Sequence, residues 1–159
     1  MKKWASIVAA GSLVALMSGC GITVPSDPDG TLDSVRGGEL RVGVSPNADY
    51  TVVNGDDVSG TEPEAVRAFA ATLDADVDWT IGSEQALVKK LENDEIDLLI
   101  AGITDDTPWV DKAGVSRPYA EHPGEDGRME KHVMLVQLGE NAFLSELERF
   151  LGDYTRTEG

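Results

Sequence analysis

One cysteine, Cys20, stands in 159 residues, so the chain can form neither an internal disulfide nor a thiolate-rich metal site. Basic residues are scarce: 13 Lys and Arg face 29 Asp and Glu, a formal charge of −16. A nucleic-acid-binding face needs clustered cations to neutralise phosphates, and that class is excluded. An anionic membrane surface repels the chain for the same reason. No run is apolar for the roughly 20 residues that a spanning helix needs. A nucleophile elbow, a P-loop, a G-x-G-x-x-G turn and carboxylates paired for acid–base work are all absent, so binding without catalysis and without a cofactor is the expectation. What is present is 41% hydrophobic and 26% charged, a globular composition with room for one domain. The acidity reads as solubility.

Residues 1–20 read as an address. Lys2 and Lys3 form a positive start, and Trp4 to Met17 is mostly apolar but broken by Ser and Gly, the pattern of an export signal. Ser18 and Gly19 precede Cys20. This resembles a bacterial lipoprotein signal, with Met17 where Leu is usual and Leu16 one place early. The resemblance implies cleavage before Cys20, lipidation of its sulfur, and a protein exported and held at a membrane of the cell envelope by acyl chains.

Residues 20–38 are rich in Pro, Gly, Asp and Ser and read as a flexible tether. Asp27, Asp29, Gly30 and Asp33 suggest a calcium loop, but that register puts Pro25 and Arg36 where carboxylates are needed. The domain proper is expected over 39–152, with a tail at 153–159. Glu39–Val44 alternates as a strand, and Asn54-Gly55-Asp56-Asp57 is a hairpin turn between Thr51–Val53 and Val58. Thr61 and Glu64 form a capping box ahead of Val66, Phe69, Ala70 and Leu73 at helical spacing. Val77, Trp79 and Ile81 alternate as a strand, with Trp79 in the core. Ser83 caps a helix that turns Leu87, Val88 and Leu91 inward. Ile96–Ala101 is apolar on both faces and belongs in mid-sheet. Thr107-Pro108 opens a short helical turn, Gly114–Tyr119 is extended, Ala120–Lys131 is a polar loop and His132–Gln137 is a strand. Asn141–Leu151 is an amphipathic helix stopped by Gly152. His122, Glu125, Asp126, Glu130 and His132 lack motif spacing and rigid placement, so no metal site is expected. The alternation of elements predicts an α/β fold, a mostly parallel sheet flanked by helices.

The order of short motifs resembles the first lobe of bacterial extracellular solute-binding proteins, family 3, the substrate-binding type of polar amino acid ABC transporters. A G-x-L-R-V-G strand is matched by Gly38, Leu40, Arg41, Val42 and Gly43. Tyr50 supplies a loop aromatic, and Gly60, Thr61 and Glu64 match a helix opening. Leu87, Leu91, Ile96 and Asp97 follow, then Ala101, Gly102, Ile103 and Thr104. Val115, Ser116, Arg117, Pro118 and Tyr119 close the series. The resemblance implies a periplasmic-binding-protein lobe of type II, with the second lobe missing beyond Tyr119. It also implies a ligand at the carboxyl ends of the strands, among Tyr50, Thr104, Asp105, Asp106, Trp109 and Arg117. Trp109 stands where the family places an Arg that clamps a ligand carboxylate. Acidic and aromatic groups there suit a cationic or apolar solute instead. The expected partners are a small solute, a membrane permease, and either a second-lobe protein or a second copy of the chain. The alternative is an envelope accessory or sensor that docks on a protein.

Overall fold

The computed structural model describes residues 26–124 and 126–158. Cys20 and the expected export signal lie outside the described residues. No described helix is long and apolar enough to cross a membrane.

Five strands make the central sheet: β1 (Glu39–Val44), β4 (Asp76–Ile81), β5 (Leu98–Ile100), β6 (Gly114–Val115) and β9 (Leu135–Val136), in the order β4-β1-β5-β9-β6. β1 runs parallel to β4 and to β5, while β9 runs antiparallel to β5 and to β6. Four of the five strands therefore point one way, the expected mostly parallel α/β lobe. β5 sits at the centre and is buried on both faces, as its unbroken apolar run requires. Leu98 and Ile100 face a core shared with α1 (Thr31–Val35), α2 (Thr61–Thr72) and α4 (Asn141–Glu158). Leu99 faces a second core against α3 (Glu84–Glu92), with Leu87, Val88 and Leu91. A Cβ on Gly43 would stand 2.6 Å from Ile96 Cδ1 and 3.1 Å from Leu87 Cδ2 of α3, which accounts for glycine there.

Several elements differ from the reading of the sequence. Ser26 to Gly38 is folded rather than a free tether. Asp27 caps two helices, accepting from Leu32 N at 2.9 Å and from Ala142 N at 2.7 Å, so its carboxylate serves orphan helix amides rather than calcium. In return the buried Glu140 accepts from Asp29 N and Thr31 N, both at 3.0 Å. Val35 is fully buried. The Thr61–Glu64 capping box does not form, because Gly60 takes the cap position and Thr61 is already helical. Ser83 does cap α3, through Ala86 N at 3.4 Å. Trp79 is half-buried, since β4 is an edge strand, and the Arg67 guanidinium lies 5.2 Å above its ring. Residues 108–112 form turns, not helix.

The polar stretch after Tyr119 is a hairpin, β7 (Ala120–Pro123) against β8 (Met129–His132), in a two-stranded sheet of its own. His132 therefore ends β8 instead of opening the next strand, and β9 is only Leu135–Val136. A second hairpin joins β2 (Val52–Asn54) to β3 (Asp57–Ser59) across the expected turn. α4 runs through Gly152 to Glu158. A glycine inside a helix costs about 1 kcal/mol. Phe150 stacking on Tyr154 at 5.3 Å and the Arg156–Asp153 pair at 3.0 Å hold the last turns beyond it.

Candidate functional site

The parallel strands deliver three segments to one end of the sheet. Ser45–Thr51 follows β1, Ala101–Ala113 follows β5, and the β7–β8 hairpin stands beside them. In open α/β sheets this carboxyl end is where ligands bind.

Tyr50 is at the centre. Its hydroxyl lies 2.9 Å from His132 Nε2, and its ring stands 4.4 Å from the His132 ring and 5.8 Å from that of His122. The two imidazoles are 5.5 Å apart. His132 is 1% exposed, and its Nδ1 is buried with no partner in hydrogen-bonding geometry. Burial, then the neighbouring His122, holds its pKa below the usual imidazole value, outweighing Glu130 and the Gly102 backbone, which act the other way. At neutral pH this favours a neutral imidazole, which lies within hydrogen-bond distance of the Tyr50 hydroxyl. Burial also raises the Tyr50 phenol, so that hydroxyl stays protonated.

Gly102 carries the Tyr50 ring. Its φ of +64° is left-handed, and a Cβ there would come within 2.6 Å of Tyr50 Cδ2 and against Asn47 Nδ2. Asn47 Nδ2 donates to the Ala101 carbonyl at 3.1 Å, which ties the first loop to the second. Thr104 pairs with His132 through an isolated β-bridge, its hydroxyl 2.5 Å from Asp106 Oδ1. Asp105 N donates to Lys131 O at 2.9 Å. Both Asp105 and Asp106 are exposed.

Tyr50, Thr104, Asp105 and Asp106 are thus joined through β8 into one connected set. Trp109 and Arg117 make their contacts elsewhere. The Trp109 indole donates to Glu84, lies 5.9 Å below Lys112 Nζ, and packs along α3. Arg117 is held by Glu148 of α4 at 2.8 Å. An open groove of about 490 Å³ adjoins the ring set, lined by Tyr50, Thr61, Tyr119, Glu121, His122 and Tyr154 among others.

Reading the sequence did not single out Glu62, Asn47 or Tyr119 as site residues, and it assigned His132 to a strand. Glu62 is 1% exposed and accepts from Gly102 N at 2.9 Å and Tyr119 Oη at 2.5 Å. The available signal was an acidic residue two places after Gly60 on the face of α2 that carries Val66 and Phe69. It was absorbed by the expected capping box. Among the described residues no three His, Cys, Asp or Glu side chains converge as metal ligands.

Comparison with known proteins supplies the context. An arginine-bound point mutant of domain 1 of TmArgBP superposes with a TM-score of 0.70 at 20% identity, covering 79% of this chain and 98% of that one. An ancestral cationic amino acid solute-binding protein gives 0.68 at 13%, covering 80% and 94%. A Salmonella typhimurium periplasmic binding protein of high arginine specificity gives 0.64 at 13%, covering 74% and 93%. A search of curated proteins finds no match. At these identities the structures establish the fold. The sequence profile of bacterial extracellular solute-binding proteins, family 3, matches residues 40–158, so the chain belongs to that family, folded as one lobe.

Proposed function

We propose that this protein is an exported, lipid-anchored solute-binding lobe that takes a small cationic solute at the carboxyl end of its sheet, without turning it over. The observation that carries the reading is that Tyr50 and Thr104 meet at His132, with the Asp106 carboxylate bonded to the Thr104 hydroxyl and the Asp105 backbone bonded to Lys131. Aromatic faces and carboxylates attract ammonium and guanidinium groups. Trp109 in the place of the family's carboxylate-clamping Arg argues for a solute recognised by its cation. The proteins of similar fold that hold arginine make arginine the first solute to try. Cys20 would carry the lipid, and a permease would receive the solute.

The groove beside the ring set is open, with the β7–β8 hairpin along one wall. A second-lobe protein or a second copy of the chain would supply the opposite wall, since pockets usually enclose most of a ligand's surface.

The test is thermal unfolding of the full chain at fixed salt against arginine, lysine, amines, neutral amino acids, organic acids and sugars. A solute at a hundred times its Kd raises stability by about 2.7 kcal/mol. The expected result is a shift with cationic solutes alone, abolished by Tyr50→Ala. A flat response across the panel would overturn solute binding and favour an envelope accessory that docks on a protein.

A further inference from the structure

Three segments must hold register for the rings to meet: the loop ending at Tyr50, the loop opening at Gly102, and the strand entering β7 at Tyr119. They are far apart in sequence, and no ion pair among the described residues joins them. All three touch Glu62. Its backbone N–H donates to the Tyr50 carbonyl at 3.4 Å. One carboxylate oxygen accepts from Gly102 N at 2.9 Å, and the other from the Tyr119 hydroxyl at 2.5 Å. From the first turn of α2, this one residue reaches every segment that builds the site.

We infer that Glu62 is the positioning residue of the solute site: its buried carboxylate clamps the Gly102 and Tyr119 segments together, and its backbone N–H ties the Tyr50 segment to the same point. The inference rests on the proposed solute site for its functional consequence and on geometry alone for the clamp. A carboxylate is suited to the task because it accepts on two oxygens and both partners are donors. Its side chain competes with no solute, because it is almost fully buried beneath the ring set. Gly102 depends on the clamp most. Its N–H faces Glu62 and its Cα supports the Tyr50 ring, so a shift of this amide displaces the ring that would meet the solute. The burial that pushes the Glu62 pKa upward is the cost of placing an acid there without a cation.

The experiment uses the ¹⁵N-labelled full chain, with Glu62→Ala, Glu62→Gln and Tyr119→Phe variants and L-arginine as the probe. Amide exchange separates a local clamp from a general stabiliser, since segments open with different free energies. Glu62→Ala is expected to speed exchange of the Gly102 amide about a hundredfold beyond any change at Val42 and Leu99, and to weaken arginine about tenfold or more. Glu62→Gln retains an acceptor and restores both to within about threefold. Tyr119→Phe is expected to speed exchange at Tyr119, whose N–H bonds His132 O, while sparing Gly102. Uniform acceleration across the domain in Glu62→Ala would overturn the clamp. So would an unchanged Gly102 amide. Should Glu62→Ala not fold, equal exchange at Tyr119 in Tyr119→Phe and wild type overturns it. If wild type itself ignores arginine and the other solutes, the proposed function fails, and the exchange pattern still decides the clamp.

Discussion

Asp97 at the amino end of the central sheet and Glu62 at its carboxyl end are both buried carboxylates, and they are answered in opposite ways. At the amino end Asp97, 1% exposed, receives the Arg41 guanidinium as a fork, Nη2 at 2.5 Å and Nε at 3.2 Å, and also accepts from Arg41 N. Asp94 completes the arrangement, with its carbonyl at 2.6 Å from Arg41 Nη1. Those bonds, Asp97 first, drive the Arg41 pKa further up. At the carboxyl end Glu62 is equally buried but meets only neutral donors, and its pKa rises through desolvation. Next to it His132 keeps a buried nitrogen unpartnered, and Tyr50 stays half-exposed. A charge answered by a charge closes a surface. A charge answered by an amide and a phenol, beside an unsatisfied imidazole, is the kind of perturbed environment found at functional sites.

The contrast can be broken at either end. The largest effect belongs to the amino end. Asp97→Asn leaves Arg41 without its buried counter-ion and is expected to cost about 3 kcal/mol, because breaking a buried pair costs more than the pair is worth. Asp94→Asn, at a more exposed group, is expected to cost under about 1 kcal/mol. Urea melts compare the two, and equal losses would dissolve the distinction between closed and open ends.

Gly102→Ala comes next. It forces a Cβ to 2.6 Å from the Tyr50 ring at a left-handed φ and is expected to cost about 2 kcal/mol, in the range of overpacked sites. Changed tyrosine fluorescence and loss of the solute response would accompany it. Unaltered fluorescence would mean that the ring does not lean on this glycine.

The smallest effect is in pH dependence, and it has two signs. Glu62 titrates above its usual value of 4.5 in the folded chain. The folded state thus holds that proton more firmly, and this contribution is full below 4.5 and lost as pH rises through the raised value. His132 titrates below its usual 6.5, so its contribution is full above 6.5 and lost as pH falls through the lowered value. In melts between pH 4 and 8, Glu62→Gln should gain on wild type as pH rises, and His132→Gln should gain as pH falls. Parallel curves would show that neither environment differs from water.

How far the sequence could be read depended on the range of the contacts involved. The helix face of Leu87, Val88 and Leu91 and its Ser83 cap are set within one or two turns, and periodicity sufficed. Tyr50 and Thr104 could be named through the family resemblance because their loops follow strands. Trp109 could not be placed, since the same spacing serves a ligand wall or an anchor on α3, and only packing against Glu84 and Lys112 tells them apart. Arg117 likewise turned on Glu148, 31 residues away. Polar His122 and His132 read as loop and strand opening. The β7–β8 hairpin sets His122 opposite Glu130 and His132 opposite Ala120, which brings both rings to Tyr50, and that required knowing that the chain folds back between the two strands.

By itself, then, the sequence determined β1, the β2–β3 hairpin, α2, β4, α3, the buried mid-sheet strand β5 and the start of α4 in their order, and the acidic surface. Those follow from which residues alternate or recur every turn, a property of neighbours along the chain. The tertiary structure alone decided that Asp27 would cap a helix 115 residues on, that α4 would continue past Gly152, and that Tyr50 would meet His132 across 82 residues. It also brought Glu62 to Gly102 and Tyr119, at separations of 40 and 57. A local pattern states which face of an element is apolar. Which polar group a buried carboxylate meets depends on how the elements stack, and only the packed sheet fixes that.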